Sequence, residues 1–163
     1  MASLLILGRG QYSYVVQEIA KDFFDKIDFL DDNAENGVVG KIQEYAKFKE
    51  SYDYAIVSIG NPRTRFELSL QLQETGFKIP TLISKKAYVS DSAEIGIGCV
   101  IEPMAVVNPN TVIESFCLIS AGAIINHNST VCQCSHIDCG AIILSNTIVE
   151  KQTKVPCGTV YKN

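Results

Sequence analysis

The chain has 163 residues, with 14 Lys and Arg against 18 Asp and Glu, a formal net charge of −4 and 47% hydrophobic residues. That length suits one large or two small globular domains, and no apolar run approaches the roughly 18 residues of a membrane-spanning helix. From Ala87 to Glu150 there is no Lys or Arg but six carboxylates, which excludes a basic face for nucleic acid along that stretch.

The opening, Met1-Ala2-Ser3 followed at once by apolar residues, lacks the charged region and cleavage site of a signal peptide, and a cytoplasmic location is expected. Ser3 to Gly8 reads as an apolar strand, followed by the loop Gly8-Arg9-Gly10. Ser13 to Phe24 carries Tyr14, Val15, Ile19, Ala20 and Phe23 at helical spacing, with Ser13 as the expected N-cap. A second strand, Lys26 to Leu30, ends at Asp31-Asp32, and a third, Asp53 to Ile59, ends at Gly60-Asn61. Pro62 opens a helix to about Thr75, closed by Gly76. Phe77 to Ile83 then leads onward.

This order predicts a small Rossmann-like parallel α/β sheet, whose ligands bind at the carboxyl ends of the strands. Three polar loops meet there: Gly8 to Gln11, Asp31-Asp32, and Gly60 to Arg65. The helix start after Gly10 suits a phosphate. The third glycine of a dinucleotide fingerprint is missing, so NAD is not expected.

From Ile83 to Val160 the chain reads as thirteen six-residue units without insertion or deletion. The first position is Ile or Val in all thirteen, and the fifth is Ala, Ser, Thr or Cys in all thirteen. Hexapeptide periodicity is the signature of a β-helix, and three units to a triangular coil give about four coils. Residues eighteen apart then stack, with β-branched side chains packed between neighbours and the small fifth residue suited to the corner. An ordinary sandwich of short strands does not account for the period. The expected division is therefore an α/β domain over residues 1–82 and a β-helix over 83–163.

Eleven of the fourteen aromatic residues precede residue 83, and all six cysteines lie beyond residue 98. Cys99 and Cys117 share the fifth position and should stack inside the helix, while Cys139 and Cys157 stack at the third. Cys132, Cys134 and His136 form a C-x-C-x-H run whose spacing is not a usual zinc pattern, so no metal is expected. In the expected compartment the thiols should be reduced.

His127 and His136 are the only histidines. His127 takes the third position of its unit, away from the buried first and fifth. An imidazole with a pKa near neutrality can accept a proton from an amine or hydroxyl attacking a thioester.

The opening strand with its glycine loop, Leu30-Asp31-Asp32, Ile59-Gly60-Asn61 with Arg65, Gly76-Phe77-Lys78, Ile125-Asn126-His127 and Ser135-His136 together resemble the bacterial sugar acyltransferases. These are the nucleotide-sugar N-acetyltransferases and sialic acid O-acetyltransferases, hexapeptide-repeat enzymes with a left-handed parallel β-helix. The resemblance covers about residues 3 to 150. It implies that a sugar nucleotide binds through Gly8, Gly10, Tyr12, Asp31, Asp32, Gly60, Asn61 and Arg65. It further implies that acetyl-CoA binds along the β-helix between subunits of a homotrimer, with His136, Gly140 and Lys154 as its contacts. His127 would be the base, with Asn128 beside it where the family usually has Glu or Asp. The loop Gly8 to Ser13 has Tyr12 near the position of a family His. Family members continue for several more hexads, so the β-helix is expected to be short at its C-terminus, with Tyr161-Lys162-Asn163 beyond the last unit.

Two functions follow. The first is transfer of acetyl from acetyl-CoA to an amine or hydroxyl of a nucleotide-linked amino sugar, in the making of surface glycans or glycoprotein sugars. The second is a catalytically impaired trimeric protein that binds a sugar nucleotide or acts as a scaffold without a complete CoA site.

Overall fold

The computed structural model describes residues 2–33 and 37–162. Met1 and Asn163, which enter the readings of the two chain ends, lie outside them. The chain divides into two compact units, Met1–Pro80 and Thr81–Asn163.

The first unit is a four-stranded parallel sheet in the order β3-β2-β1-β4. Its strands are β1 (Ser3–Leu7), β2 (Lys26–Leu30), β3 (Val38–Gly40) and β4 (Tyr54–Val57). Every residue of β1 is buried, as expected for the middle of a sheet covered on both faces. Helix α1 (Tyr12–Ala20) follows β1, and α2 (Pro62–Glu74) follows β4. One core gathers Leu5, Leu7, Leu30, Ala55, Val57, Leu72 and Phe77.

Three sequence expectations change here. Ser13 is not an N-cap: α1 begins one residue earlier, Gln11 holds the cap position without a side-chain bond, and Ser13 is fully buried. The helix ends at Ala20, a turn over Lys21 to Phe23 follows, and the Phe23 and Phe24 N–H groups donate to the Ala20 carbonyl. Strand β3 and a 3-10 helix, Ile42–Phe48, occupy a stretch with no strong period. By contrast α2 starts with Pro62 after an Asn61 cap, and Gly76 closes it at φ +88°, the left-handed conformation a glycine adopts freely.

The second unit is a left-handed β-helix. Fourteen two-residue strands, from Leu82–Ile83 to Val160–Tyr161, form three parallel sheets of five, five and four strands among the described residues. Each strand pairs with the one eighteen residues away, as Leu118↔Val100 and Leu118↔His136 show. First-position side chains such as Ile101, Ile119 and Ile137 fill the interior.

The corner falls on the fourth residue of each unit, a correction to the fifth. From Gly98 to Gly158 every fourth-position residue has φ between 56° and 70°, including Met104, Asn110, Phe116, Asn128, Cys134 and Asn146. The small fifth residue instead points inward: Cys99, Ala105, Thr111, Cys117 and Ala123 are all fully buried. Its size is limited by the interior of a narrow prism.

Candidate active site

In the first unit the loops after β1, β2 and β4 lie side by side, because those strands are neighbours in the sheet. Gly8 closes β1 with φ +101°, and its N–H donates to the Leu30 carbonyl at 2.8 Å. A Cβ there would approach Ile59 Cγ1 to 2.9 Å, so the residue is fixed both by backbone conformation and by space. Gly10 and Gly60 are exposed with open space where a Cβ would stand. Tyr12 is the first residue of α1 and is half-buried.

Asp31 ties two loops together. Its Oδ2 accepts the Arg9 N–H at 2.6 Å and its Oδ1 accepts the Asn33 N–H at 2.8 Å. The Arg9 guanidinium lies 4.4 Å from the Tyr14 ring centroid and 4.1 Å from that of Phe29, a cation held between two π faces, and its Nη1 donates to Ser13 Oγ at 3.2 Å. That arrangement explains the buried Ser13. Asp32 is exposed and lines a cleft of about 290 Å³ with Asp31, Val38, Val39, Gly40, Lys41 and Glu44. The cleft thus draws five of its seven lining residues from the segment whose structure the sequence did not reveal.

Asn61 and Arg65 shape the third loop. Asn61 Oδ1 accepts the Thr64 N–H at 3.0 Å. Arg65 is 1% exposed, and its Nη1 donates to the Ile59 and Gly60 carbonyls at 3.0 and 2.9 Å. It lies beneath the loop and holds its carbonyls.

In the β-helix, His127 and Asn128 form an exposed corner. Asn128 Nδ2 and His127 Nδ1 are 3.1 Å apart, which leaves Nε2 directed away from the pair. Asn128 also takes the left-handed corner conformation, φ 56°, which Asn adopts more readily than most residues. The residue is therefore suited to the turn as well as to the imidazole.

His136 belongs to a second cluster. Its Nε2 is 2.9 Å from Ser120 Oγ and 3.8 Å from Asp138 Oδ1. Lys154, its in-register partner one coil on, reaches Asp138 Oδ2 at 3.2 Å. Burial raises the Asp138 carboxyl, but the Cys139 N–H, Lys154 and His136 outweigh it and hold the pKa below the usual carboxylate value. Because Ser120 and Asp138 both address Nε2, this is not a Ser-His-Asp relay, in which the carboxylate holds the opposite nitrogen. Gly140 occupies the following corner with φ 65°, exposed and without neighbours where a Cβ would stand.

His127 thus pairs with Asn128, and His136 gathers with Lys154 near Gly140, but His127 stands at a corner of the prism and His136 in the strand His136–Ile137 on one of its faces. The strand Thr130–Val131 and a further corner separate them. A cleft of about 440 Å³ on the face between Glu94 and Gln133 contains none of these residues. Among its lining residues, Gly96 passes so close to Ser115 that a Cβ would meet the Ser115 nitrogen. Among the described residues no His, Cys, Asp and Glu group has metal-binding geometry, and no helix is long and apolar enough to cross a membrane.

A parallel α/β unit followed by a left-handed β-helix with an exposed corner histidine defines a hexapeptide-repeat acyltransferase fold. Residues 3–72 match the family described as the PglD N-terminal domain. The acetyltransferase domain of PglB from Neisseria gonorrhoeae is 30% identical, with a TM-score of 0.92 over 98% of this chain and 82% of that one. The same domain in complex with acetyl coenzyme A superposes with a TM-score of 0.92. GDP-perosamine N-acetyl transferase from Caulobacter crescentus, in complex with CoA and GDP-perosamine, shares the fold at 21% identity and a TM-score of 0.86, over 99% of this chain and 89% of that one. The chain belongs to the hexapeptide-repeat acyltransferase family with a PglD-type N-terminal domain.

Proposed function

We propose that the protein transfers acetyl from acetyl-CoA to an amine or hydroxyl of a nucleotide-linked amino sugar, as a step in the making of bacterial surface glycans or glycoprotein sugars. The observation that carries this reading is His127, held at Nδ1 by Asn128 on an exposed corner in a chain 30% identical to an acetyltransferase domain that binds acetyl coenzyme A. The scaffold alternative has no specific observation in its favour.

In the proposed reaction the acceptor nitrogen or oxygen attacks the thioester carbonyl while His127 Nε2 takes its proton. The tetrahedral intermediate then expels the CoA sulfur, which leaves as thiol with that proton. General base catalysis of this kind contributes about 10²- to 10⁴-fold. Asn128 orients the ring without supplying the charge that a carboxylate would. His136, Gly140 and Lys154 form the acyl-donor side, with Lys154 as a cation near the donor's phosphates.

The sugar nucleotide is assigned to the first unit. Gly8, Asp31, Asn61 and Arg65 shape its loops, and Gly10, Tyr12, Asp32 and Gly60 line the ligand side. The separation of the histidines supports a site shared between chains, since one that uses both needs a contribution from each of two, and a homotrimer is the assembly we propose for it. Such an enzyme works in the cytoplasm, where acetyl-CoA and nucleotide sugars are made.

The test is release of free CoA thiol from acetyl-CoA in the presence of a panel of amino-sugar nucleotides. Turnover with one of them, lost in a folded His127→Ala variant, is expected. Sugar-nucleotide binding without acetyl-CoA binding or thiol release would leave only the scaffold.

A further inference from the structure

We propose that Asn110, which contacts neither ring nitrogen, is a positioning residue that sets the tautomer of His127 by acting through Asn128. The proposal rests on the reading of His127 as the base, but its central measurement does not depend on turnover.

Asn110, Asn128 and Asn146 occupy the same corner on three successive coils, all left-handed with φ 57°, 56° and 57°. Their backbones are fixed: the Asn110 N–H donates to Ser92 Oγ at 3.1 Å, the Asn128 N–H to the Pro109 carbonyl at 3.1 Å, and the Asn146 N–H to the His127 carbonyl at 3.2 Å. Asn110 Nδ2 lies 3.2 Å from Asn128 Oδ1, and Asn128 Nδ2 lies 3.1 Å from His127 Nδ1. On the other side of the histidine, Asn108 Nδ2 donates to Asn126 Oδ1 at 3.4 Å. The amide–amide–imidazole chain is therefore continuous from Asn110 to His127, on backbones held at each corner.

A carboxamide donates only through nitrogen and accepts only through oxygen, and the two ends have nearly the same shape. The chain therefore has two self-consistent settings. In the first, Asn110 donates to Asn128, which donates to Nδ1, so the neutral ring carries its proton on Nε2 and cannot accept one there. In the second, both amides are turned over. Nδ1–H then donates to Asn128 Oδ1, Asn128 Nδ2 donates to Asn110 Oδ1, and the Nε2 lone pair is available to the attacking group. Whichever end Asn110 presents determines which tautomer Asn128 supports, and catalysis requires the second setting.

Asn110→Asp can only accept from Asn128 and forces the second setting, whereas Asn110→Gly removes the partner while tolerating the left-handed corner. Nitrogen-15 spectra of histidine-labelled protein, recorded with the rings neutral, read the proton on each ring nitrogen. With only two histidines, His127 is assigned by its loss in His127→Gln. Asn110→Asp is expected to give His127 protonated at Nδ1 and to preserve or raise kcat. Asn110→Gly is expected to shift protons to Nε2 and to lower kcat about three- to tenfold, the value of one lost hydrogen bond, with KM for both substrates and the melting temperature unchanged. Identical ring-nitrogen spectra in wild type, Asn110→Asp and Asn110→Gly would overturn the proposal. If the spectra respond but His127→Ala retains full turnover, the base assignment fails while the tautomer control stands.

Discussion

The loops of the α/β unit and the corners of the β-helix solve the same problem, turning the chain between parallel strands, by opposite means. In the β-helix each corner leans on its equivalent one coil away, so Asn110 meets Asn128 and the Cys157 thiol donates to the Cys139 carbonyl. In the α/β unit each loop is held by a contact that occurs once: Asp31 on the Arg9 N–H, Asn61 on Thr64, Arg65 on two carbonyls. Repetition makes a corner replaceable in kind, because several residue types satisfy one backbone shape. A loop built from single contacts depends on the particular side chain.

The interior of the β-helix is where repetition should be least forgiving. Ile119 is fully buried and paired between Ile101 and Ile137. Ile119→Ala leaves a cavity that two stacked neighbours cannot both collapse into, and a loss of about 2–5 kcal/mol is expected in urea denaturation. A loss under about 1 kcal/mol would show that the column relaxes along the prism axis. Next in size is Arg65→Met, which keeps much of the buried volume but strands the Ile59 and Gly60 carbonyls. Because this loop is only partly buried, water can replace part of each bond, and a loss of about 0.5–1.5 kcal/mol per carbonyl is expected. Because the Gly60 loop is assigned to the sugar nucleotide, KM for that substrate should rise while KM for acetyl-CoA stays. Equal changes in both would detach Arg65 from the loop's role.

The same contrast sets what was legible in the sequence. The stacking of Ile and Val at the first position and of small residues at the fifth was visible because β-branched and small side chains recur there without exception. The corner position was not, because Met104, Phe116 and Cys134 adopt positive φ there and nothing in their chemistry announces it. Asn128 was read only as a departure beside a histidine, although Asn110 and Asn146 mark the same column and point to a conformational reason for it. In the α/β unit the strand ends and the Asn61-Pro62 helix start carried local signals. The direction of the Arg65 side chain did not, since helical spacing places a residue but not the carbonyls it finds. The Val38 to Glu44 wall of the cleft was missed for want of any periodicity over so few residues.

A corner substitution separates conformation from chemistry. Asn146 has φ 57° and lies one coil beyond Asn128. Asn146→Ala should cost about 1–2 kcal/mol, the penalty for an ordinary L-residue in this region, whereas Asn146→Gly should be close to neutral because glycine enters it freely. If both cost the same, the Asn146 side chain contributes through contacts and the corner is not defined by backbone shape. Thermal melts of the two variants against wild type decide between these.

The smallest expected effect concerns Asp138, where the repeat brings His136 and Lys154 onto one carboxylate. Its pKa lies below the unfolded value of about 3.9, so the folded state binds its proton less readily than the unfolded chain does. The resulting stabilisation is fully present above the unfolded pKa and is lost as pH falls through the lower folded pKa. Asp138→Asn removes that term, so its melting temperature should fall short of wild type near neutral pH, and the gap should close as pH falls below the unfolded carboxyl value and on through the lower folded one. The gap should also narrow with added salt, since Lys154 is largely exposed and such pairs are screened. A gap that persists unchanged into acid would mean that Asp138→Asn acts through something other than the carboxylate charge, since the bond from the Cys139 N–H is one that an uncharged acceptor also makes, and that the charge at this position contributes little to the fold.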